Sequence, residues 1–293
     1  MVRLWLAECR KEKERLLGYS WIYRVLNFAA GIGPVIVFSL PYQKNIFTLF
    51  FTCALICLIS ALILKIYFKN NEEKLQANCS FKECVSVFSK KIFTQNKSAF
   101  FYLLVFFIFI YLFQQCNLLA FDLKLNGGIP KEMGWILAIN PIMVVATQGI
   151  VSKFFYQLEQ RKNNAGIVLG FFSIFLAFSV YSYAHTISSL IFFIIFLSIG
   201  EMLICPHIDF LMSKSAASKN VCRILFGLSG TVMGLGRALS QTLGIAVLAE
   251  WSSGIWWNLN TAFVFVIVLV VTYVLFYPMT INNPLEQNKE MAS

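Results

Sequence analysis

Eight apolar runs, each about 20 residues long and so able to cross a bilayer, constrain this chain more than any other feature. They fall at roughly 17–40, 45–67, 99–121, 132–155, 165–184, 188–212, 222–249 and 255–278. A chain of 293 residues that is 58% hydrophobic and 13% charged cannot hide that much apolar surface in one soluble core. None of the runs shows the alternating ten-residue pattern of a transmembrane barrel, and a lone backbone can cross lipid only as a helix. The expected class is therefore all-α: a polytopic membrane protein of about eight transmembrane helices.

The net charge of +10 raises the question of nucleic acid, and its distribution answers it in the negative. Lysine and arginine gather on alternate loops. One side has Arg3, Arg10, Lys11, Lys13 and Arg15, then Lys69 to Lys97, then Lys153, Arg161 and Lys162, then Lys214, Lys219 and Arg223. The other side has Lys44, Lys124 and Lys131. By the positive-inside rule both termini are expected in the cytoplasm, which an even number of crossings requires. The expected surroundings are a bacterial inner or plasma-type membrane, and the first expected partner is the lipid bilayer. The basic N-terminal segment contains Glu8, Glu12 and Glu14 and lacks a small-residue cleavage site, so the first run is expected to stay as a helix. Eight cysteines occur without a CxxC pair, four within the runs and four on or near the basic side, and are expected as free thiols.

Glu201 stands in the middle of the apolar stretch from Leu190 to Met212. A charge at the bilayer centre costs about 2.5–3.5 kcal/mol on insertion scales, so such a group normally faces a bundle interior or a wet cavity. Pro206 follows on the same run and has no N–H to give the carbonyl of Met202, which frees an acceptor one residue from the carboxylate. His207 and Asp209 come next, with the wrong spacing for a metal pair, and a local hydrogen bond is the expected role. No HExxH and no clustered nucleophile and base occur, so no catalytic or metal residue is assigned and an enzyme is not expected.

Further polar groups lie in other runs. The first run carries Arg24 and Asn27 and then Gly31, Gly33 and Pro34. The third carries Gln114, Gln115 and Asn117, amides that either glue helices together or line a polar path. The fourth contains Asn140 beside Pro141, with Gln148 two turns on; the carboxamide either binds a substrate or caps the broken turn. The seventh is rich in glycine, with a Gly230-xxx-Gly234 close-packing pattern, and holds Arg237, which at that depth needs a partner or water. Pairing between Arg237 and Glu201 is the structural alternative to a ligand at Glu201. Pro206, Pro141, Gly230, Gly234 and Arg237 are gating or packing candidates.

The longest polar segment, 68–98, repeats Phe81, Cys84, Val85, Phe88 and Ile92 at helical spacing opposite lysines and reads as an interfacial amphipathic helix. It divides the chain into two spans (1–67) and six (99–280), followed by a short tail (281–293). A cationic linker of this kind is the usual sign of two bundles in one carrier.

Gly200-Glu201-Met202-Leu203-Ile204-Cys205-Pro206 resembles the GE-hydrophobic-x-x-P signature in the tenth helix of the proton-dependent oligopeptide transporters, within the major facilitator superfamily. Phe113-Gln114-Gln115 with Leu119-Ala120-Phe121 is similar to that family's seventh helix. Ile129-Pro130 leading to Ile139-Asn140-Pro141 is similar to its seventh loop and eighth helix, and Tyr23-xxx-Asn27 before Gly31 resembles the start of its fifth. The resemblance implies a partial major-facilitator bundle and a secondary active transporter of di- and tripeptides driven by a proton gradient, with no other cofactor. It implies a substrate-binding group of Glu201, which would meet a peptide's amino end, with Asn140, Gln114 and Gln115.

Two positions depart from the family. Gln114 stands where many members carry an acidic residue used in proton linkage, and Ser229 where a tryptophan usually lines the pocket. The family's first four helices, including the ExxER motif, have no counterpart, so the chain is expected to be N-terminally truncated, with a separately encoded N-terminal half as a candidate partner. A carrier of amino acids or other small solutes, and a transport-inactive fragment or membrane scaffold, are the other functions open on the sequence.

Overall fold

The computed structural model describes residues 2–7, 11–39, 47, 51, 54–59, 61–62, 97–128, 132–159, 164–216 and 218–276. Among these residues the chain is helical and contains no strand. Helix α1 (Val2–Ala7) is followed by α2 (Glu12–Ser39). After the interval that covers most of the second run come α3 (Lys97–Phe113), a 3-10 segment (Gln114–Leu118) and α4 (Leu119–Leu125), which together fill the third run. Then follow α5 (Met133–Glu159), α6 (Ala165–Tyr183), α7 (Ile187–Ser215), α8 (Lys219–Glu250) and α9 (Ser253–Phe276).

The last six of these elements, taking α3 through α4 as one, coincide with the third to eighth apolar runs, and among the described residues six helices are long and apolar enough to cross a membrane. The first run lies within α2. Of the second run only residues 47, 51, 54–59 and 61–62 are described, all helical and exposed. The amphipathic segment at 68–96 and the tail at 281–293 lie outside the described residues.

Helix ends follow local chemistry. The Thr186 hydroxyl accepts from the Ser189 backbone N–H at 3.2 Å while the Ser189 hydroxyl accepts from the Thr186 N–H at 2.9 Å, a reciprocal cap that starts α7. Ser218 caps α8 in the same sense through Val221 N–H. The turn after α4 uses Gly127 and Gly128 at φ 130° and 120°, angles that side chains with a Cβ rarely adopt.

Two tight helix pairs organise the bundle, α6 with α7 and α2 with α5. In the first, Gly170 and Gly200 face each other: a Cβ at Gly200 would stand 2.6 Å from Ile174 Cγ1 and 3.0 Å from the Gly170 carbonyl. Gly200 therefore lets the backbone before Glu201 press directly onto α6. In the second, a Cβ at Gly31 would meet the Pro141 ring at 2.8 Å, so α2 lies directly against α5 at Pro141. Helix α8 packs on α3 through Gly236 against Ile110 and on the 3-10 segment through Gly244 against Leu118. Gly230 and Gly234, the spacing that suggests close packing from sequence, instead have nothing within 4 Å of an added Cβ. The motif spacing identifies a smooth helix face but not which neighbour uses it.

Candidate functional site

Glu201 is the fifteenth residue of the 29-residue α7, roughly 20 Å from its N-terminal end at 1.5 Å per residue. Its residue is 7% exposed, so the carboxylate is almost wholly withdrawn from solvent. Asn27 of α2 donates its side-chain N–H to Oε1 at 2.9 Å, and Asn140 of α5 donates to Oε2 at 2.9 Å. Each oxygen has one amide donor, and the two amides come from different helices. Asn27 is itself steered by a second bond, from its amide to the Tyr23 carbonyl at 3.1 Å.

Among the described residues Glu201 makes no ion pair. Arg237, the cation set against it on sequence grounds, is exposed on α8. The carboxylate is thus stabilised by neutral dipoles and lacks the compensating charge that buried carboxylates ordinarily require. That combination leaves two ways to neutralise it: a proton, or the cationic group of a ligand.

The backbone around Glu201 is adapted to its surroundings. Pro206 deprives the Met202 carbonyl of its helical donor, and Gln148 of α5 supplies the replacement, Nε2 to Met202 O at 3.0 Å. Gln148 also donates to Ser152 Oγ at 3.0 Å, and Ser152 shares a hydrogen bond with Ser20 of α2 at 2.5 Å. Thr147 Oγ1 lies 3.1 Å from the Met202 sulfur. Arg24 of α2 spends its charge locally, donating from Nε to the Val145 carbonyl at 2.9 Å with its guanidinium 4.4 Å from the Trp21 ring centre. The result is a polar seam where α2, α5 and α7 meet, inside helices whose other faces are apolar.

The remaining sequence candidates divide. Gln114 and Gln115 lie in the 3-10 segment, whose tighter winding interrupts α3 at the three amides. Gln114 Oε1 accepts from Asn117 at 2.7 Å, and the wholly buried Gln115 accepts from Trp256 Nε1 at 3.2 Å. These contacts tie the segment to itself and to α9. Pro141 and Pro206 stand beside the seam inside helices that continue through them, whereas Gly230, Gly234 and Arg237 share the exposed face of α8. Among the described residues no group of three or more His, Cys, Asp or Glu side chains is placed to hold a metal.

Three groups escaped the sequence reading of the site. Asn27 is visible there only as one polar residue in an apolar run, and its placement on Glu201 depends on how α2 is rotated. Asp209 pairs with Arg3 of α1, Nε to Oδ2 at 3.2 Å, and accepts from the Tyr23 hydroxyl at 3.2 Å rather than bonding locally to His207. Asp122 is held at the other end of the bundle by Tyr181, Trp257 and Asn126. All three are carboxylate contacts between residues far apart in the chain or on different helices.

The family model described as Major Facilitator Superfamily matches residues 2–249. No curated protein matches the chain.

Proposed function

We propose that this chain, which belongs to the Major Facilitator Superfamily, binds the ammonium end of a small peptide at Glu201 and carries it across the membrane in company with a proton. As a member of that superfamily it is an integral membrane transporter of a small solute. The peptide, the proton and the residues that hold them are the reading offered here.

One observation carries it: a mid-span carboxylate that has two neutral amide donors and, among the described residues, no cation. An ammonium group would supply the missing charge, and in a low-dielectric setting that attraction is far stronger than in water. Asn140 and Asn27 would hold the carboxylate in place and yield or share their bonds as the ligand arrives. Gln114, Gln115 and Asn117 of the 3-10 segment would offer amide partners to the peptide backbone. When no ligand is bound, a proton on Glu201 would neutralise the same charge, which is the simplest way to link the two.

The reading extends to organisation. Residues 1–67 and 99–280 would belong to two half-bundles joined by the basic segment 68–98, with 281–293 as a tail, and a separately encoded polypeptide would be able to complete the smaller half. The loop charges support a cytoplasmic position for both termini. Pro141 and Pro206 would act as hinges next to the ligand.

Equilibrium binding of radiolabelled dialanine to the purified chain in lipid nanodiscs tests the proposal. Saturable binding that falls at least about tenfold in Glu201→Gln, about the effect of losing one charge-assisted contact, is the expected result. Binding that is absent in the parent or unchanged in the variant would refute it.

A further inference from the structure

Glu201 and Asp209 are two turns apart on α7, with Pro206 between them, and both are answered by α2: Asn27 meets Glu201 and Tyr23 meets Asp209. Asn27 and Tyr23 are themselves one turn apart. The α2–α7 seam is therefore closed by two polar rungs, and the second lies between Glu201 and the end of the bundle that carries α1.

The second rung has an extra member. Arg3 reaches from α1 to Asp209, donates through its terminal nitrogen to the Tyr23 hydroxyl at 3.2 Å, and lies 5.6 Å from the Tyr23 ring centre. The Tyr19 hydroxyl fastens α1 in place by donating to the Arg3 carbonyl at 3.2 Å. Weaker contacts join the same two helices nearby, Lys214 to Glu12 at 3.1 Å and Arg15 to Ser213 at 3.5 Å.

Several features make this rung a closure that can open rather than a fixed brace. The Asp209 side chain is wholly buried, yet its partners Arg3 and Tyr23 both address Oδ2, and among the described residues Oδ1 accepts no hydrogen bond. Its three members stand on three separate elements, and α1 is a six-residue helix. A buried ion pair contributes little net stability compared with apolar packing of the same volume, so the pair is not the cheapest way to hold helices together. Pro206 removes one backbone bond from α7 between the rungs, so the segment bearing Asp209 can swing without disturbing the segment bearing Glu201.

We propose that Arg3, Tyr23 and Asp209 form a latch that seals the α1 end of the path to Glu201, and that its release exposes the α2–α7 seam to that side of the membrane. What the path carries rests on the reading of Glu201 given above; the latch itself does not. Cys205 is a built-in reporter, because it is 3% exposed and lies on α7 between the two carboxylates.

The experiment uses the full chain in lipid nanodiscs with every other cysteine replaced by alanine, and follows the reaction of Cys205 with a charged, bilayer-impermeant maleimide. The parent should react slowly. Combined Arg3→Gln and Asp209→Asn, which removes both charges and keeps the shapes, should react at least about tenfold faster while retaining the parent's helicity and elution volume, because the open state gains population. An unchanged rate in that folded double variant would overturn the latch. Should the double variant fail to fold, Arg3→Gln alone decides, since Arg3 lies at the rim with its side chain 19% exposed: about a threefold rise supports the latch and an unchanged rate overturns it. No ligand enters this measurement, so a failure of peptide binding at Glu201 and a failure of the latch are read separately.

Discussion

Glu201 and Asp122 are both carboxylates buried within spanning helices, and they are held in opposite ways. Asp122, 1% exposed, accepts from Tyr181 at 2.9 Å and Trp257 at 3.1 Å on Oδ2 and from Asn126 at 3.0 Å on Oδ1, with His185 Nδ1 4.0 Å away. Its ring donors are packed against other rings: Tyr181 stands edge-on to Trp257 with centroids 4.8 Å apart, and Phe178 and Phe193 each pack 5.9 Å from Trp257. Glu201 has two amides, each on a short side chain able to rotate, from two helices that meet there. A carboxylate surrounded by interlocked rings staples α4, α6 and α9 together. A carboxylate between two rotatable amides can change partners.

The contrast is sharpest under substitution. Asp122→Ala leaves the Tyr181 hydroxyl and the Trp257 N–H without an acceptor inside packed aromatics, at about 1–3 kcal/mol for each buried donor. Chemical denaturation in detergent should show a loss of about 3 kcal/mol; Glu201→Gln, which keeps one acceptor oxygen and a similar shape, should lose less than about 1 kcal/mol. Equal losses would erase the distinction between staple and site.

Gln148→Leu probes the backbone that serves Glu201. It strips the donor from the Met202 carbonyl freed by Pro206, so the same denaturation should register about 1–2 kcal/mol, and binding at Glu201 should weaken with it because the loosened turn carries the carboxylate. A variant as stable as the parent would show that Pro206 needs no such support. The smallest effect belongs to the exposed face of α8. Gly230→Ala adds a methyl group to open space and relieves a glycine in a helix interior, so stability should be unchanged or raised by no more than about 1 kcal/mol. A clear loss would mean that another helix seats on this face.

How much of this was legible beforehand follows from the range of each contact. Span positions are local properties of composition, so the third to eighth runs reappear as helices, and the first reappears within α2. The orphaned carbonyl is also local: Pro206 points to Met202 O directly, and only the identity of its new donor, Gln148, waited for the structure. The meeting of Asn140 with Glu201 was within reach because both stand at similar depths beside prolines. Asn27, Arg3 and the Asp122 cluster were not, since each depends on the rotation of one helix about its axis relative to another, and apolar runs with weak amphipathic character carry little record of rotation. On α8, glycine spacing marks Gly230 and Gly234 while the close contacts fall on Gly236 and Gly244, because spacing along one helix does not say which neighbour meets it. The 3-10 winding at Gln114–Leu118 had a compositional hint in its amides, but no local rule converts three amides into a change of helix type.

The central claim, that Glu201 is an exchangeable carboxylate that takes an ammonium group, is tested most directly by comparing the thermal shift produced by dialanine with that produced by N-acetyl-dialanine. Binding at 100 times the dissociation constant stabilises by about 2.7 kcal/mol, enough to read as a clear rise in melting temperature. The account predicts that dialanine stabilises the parent and Asp122→Asn, that the acetylated peptide stabilises neither, and that Glu201→Gln responds to neither peptide. Equal stabilisation of the parent by both peptides, or a full response in Glu201→Gln, would contradict it.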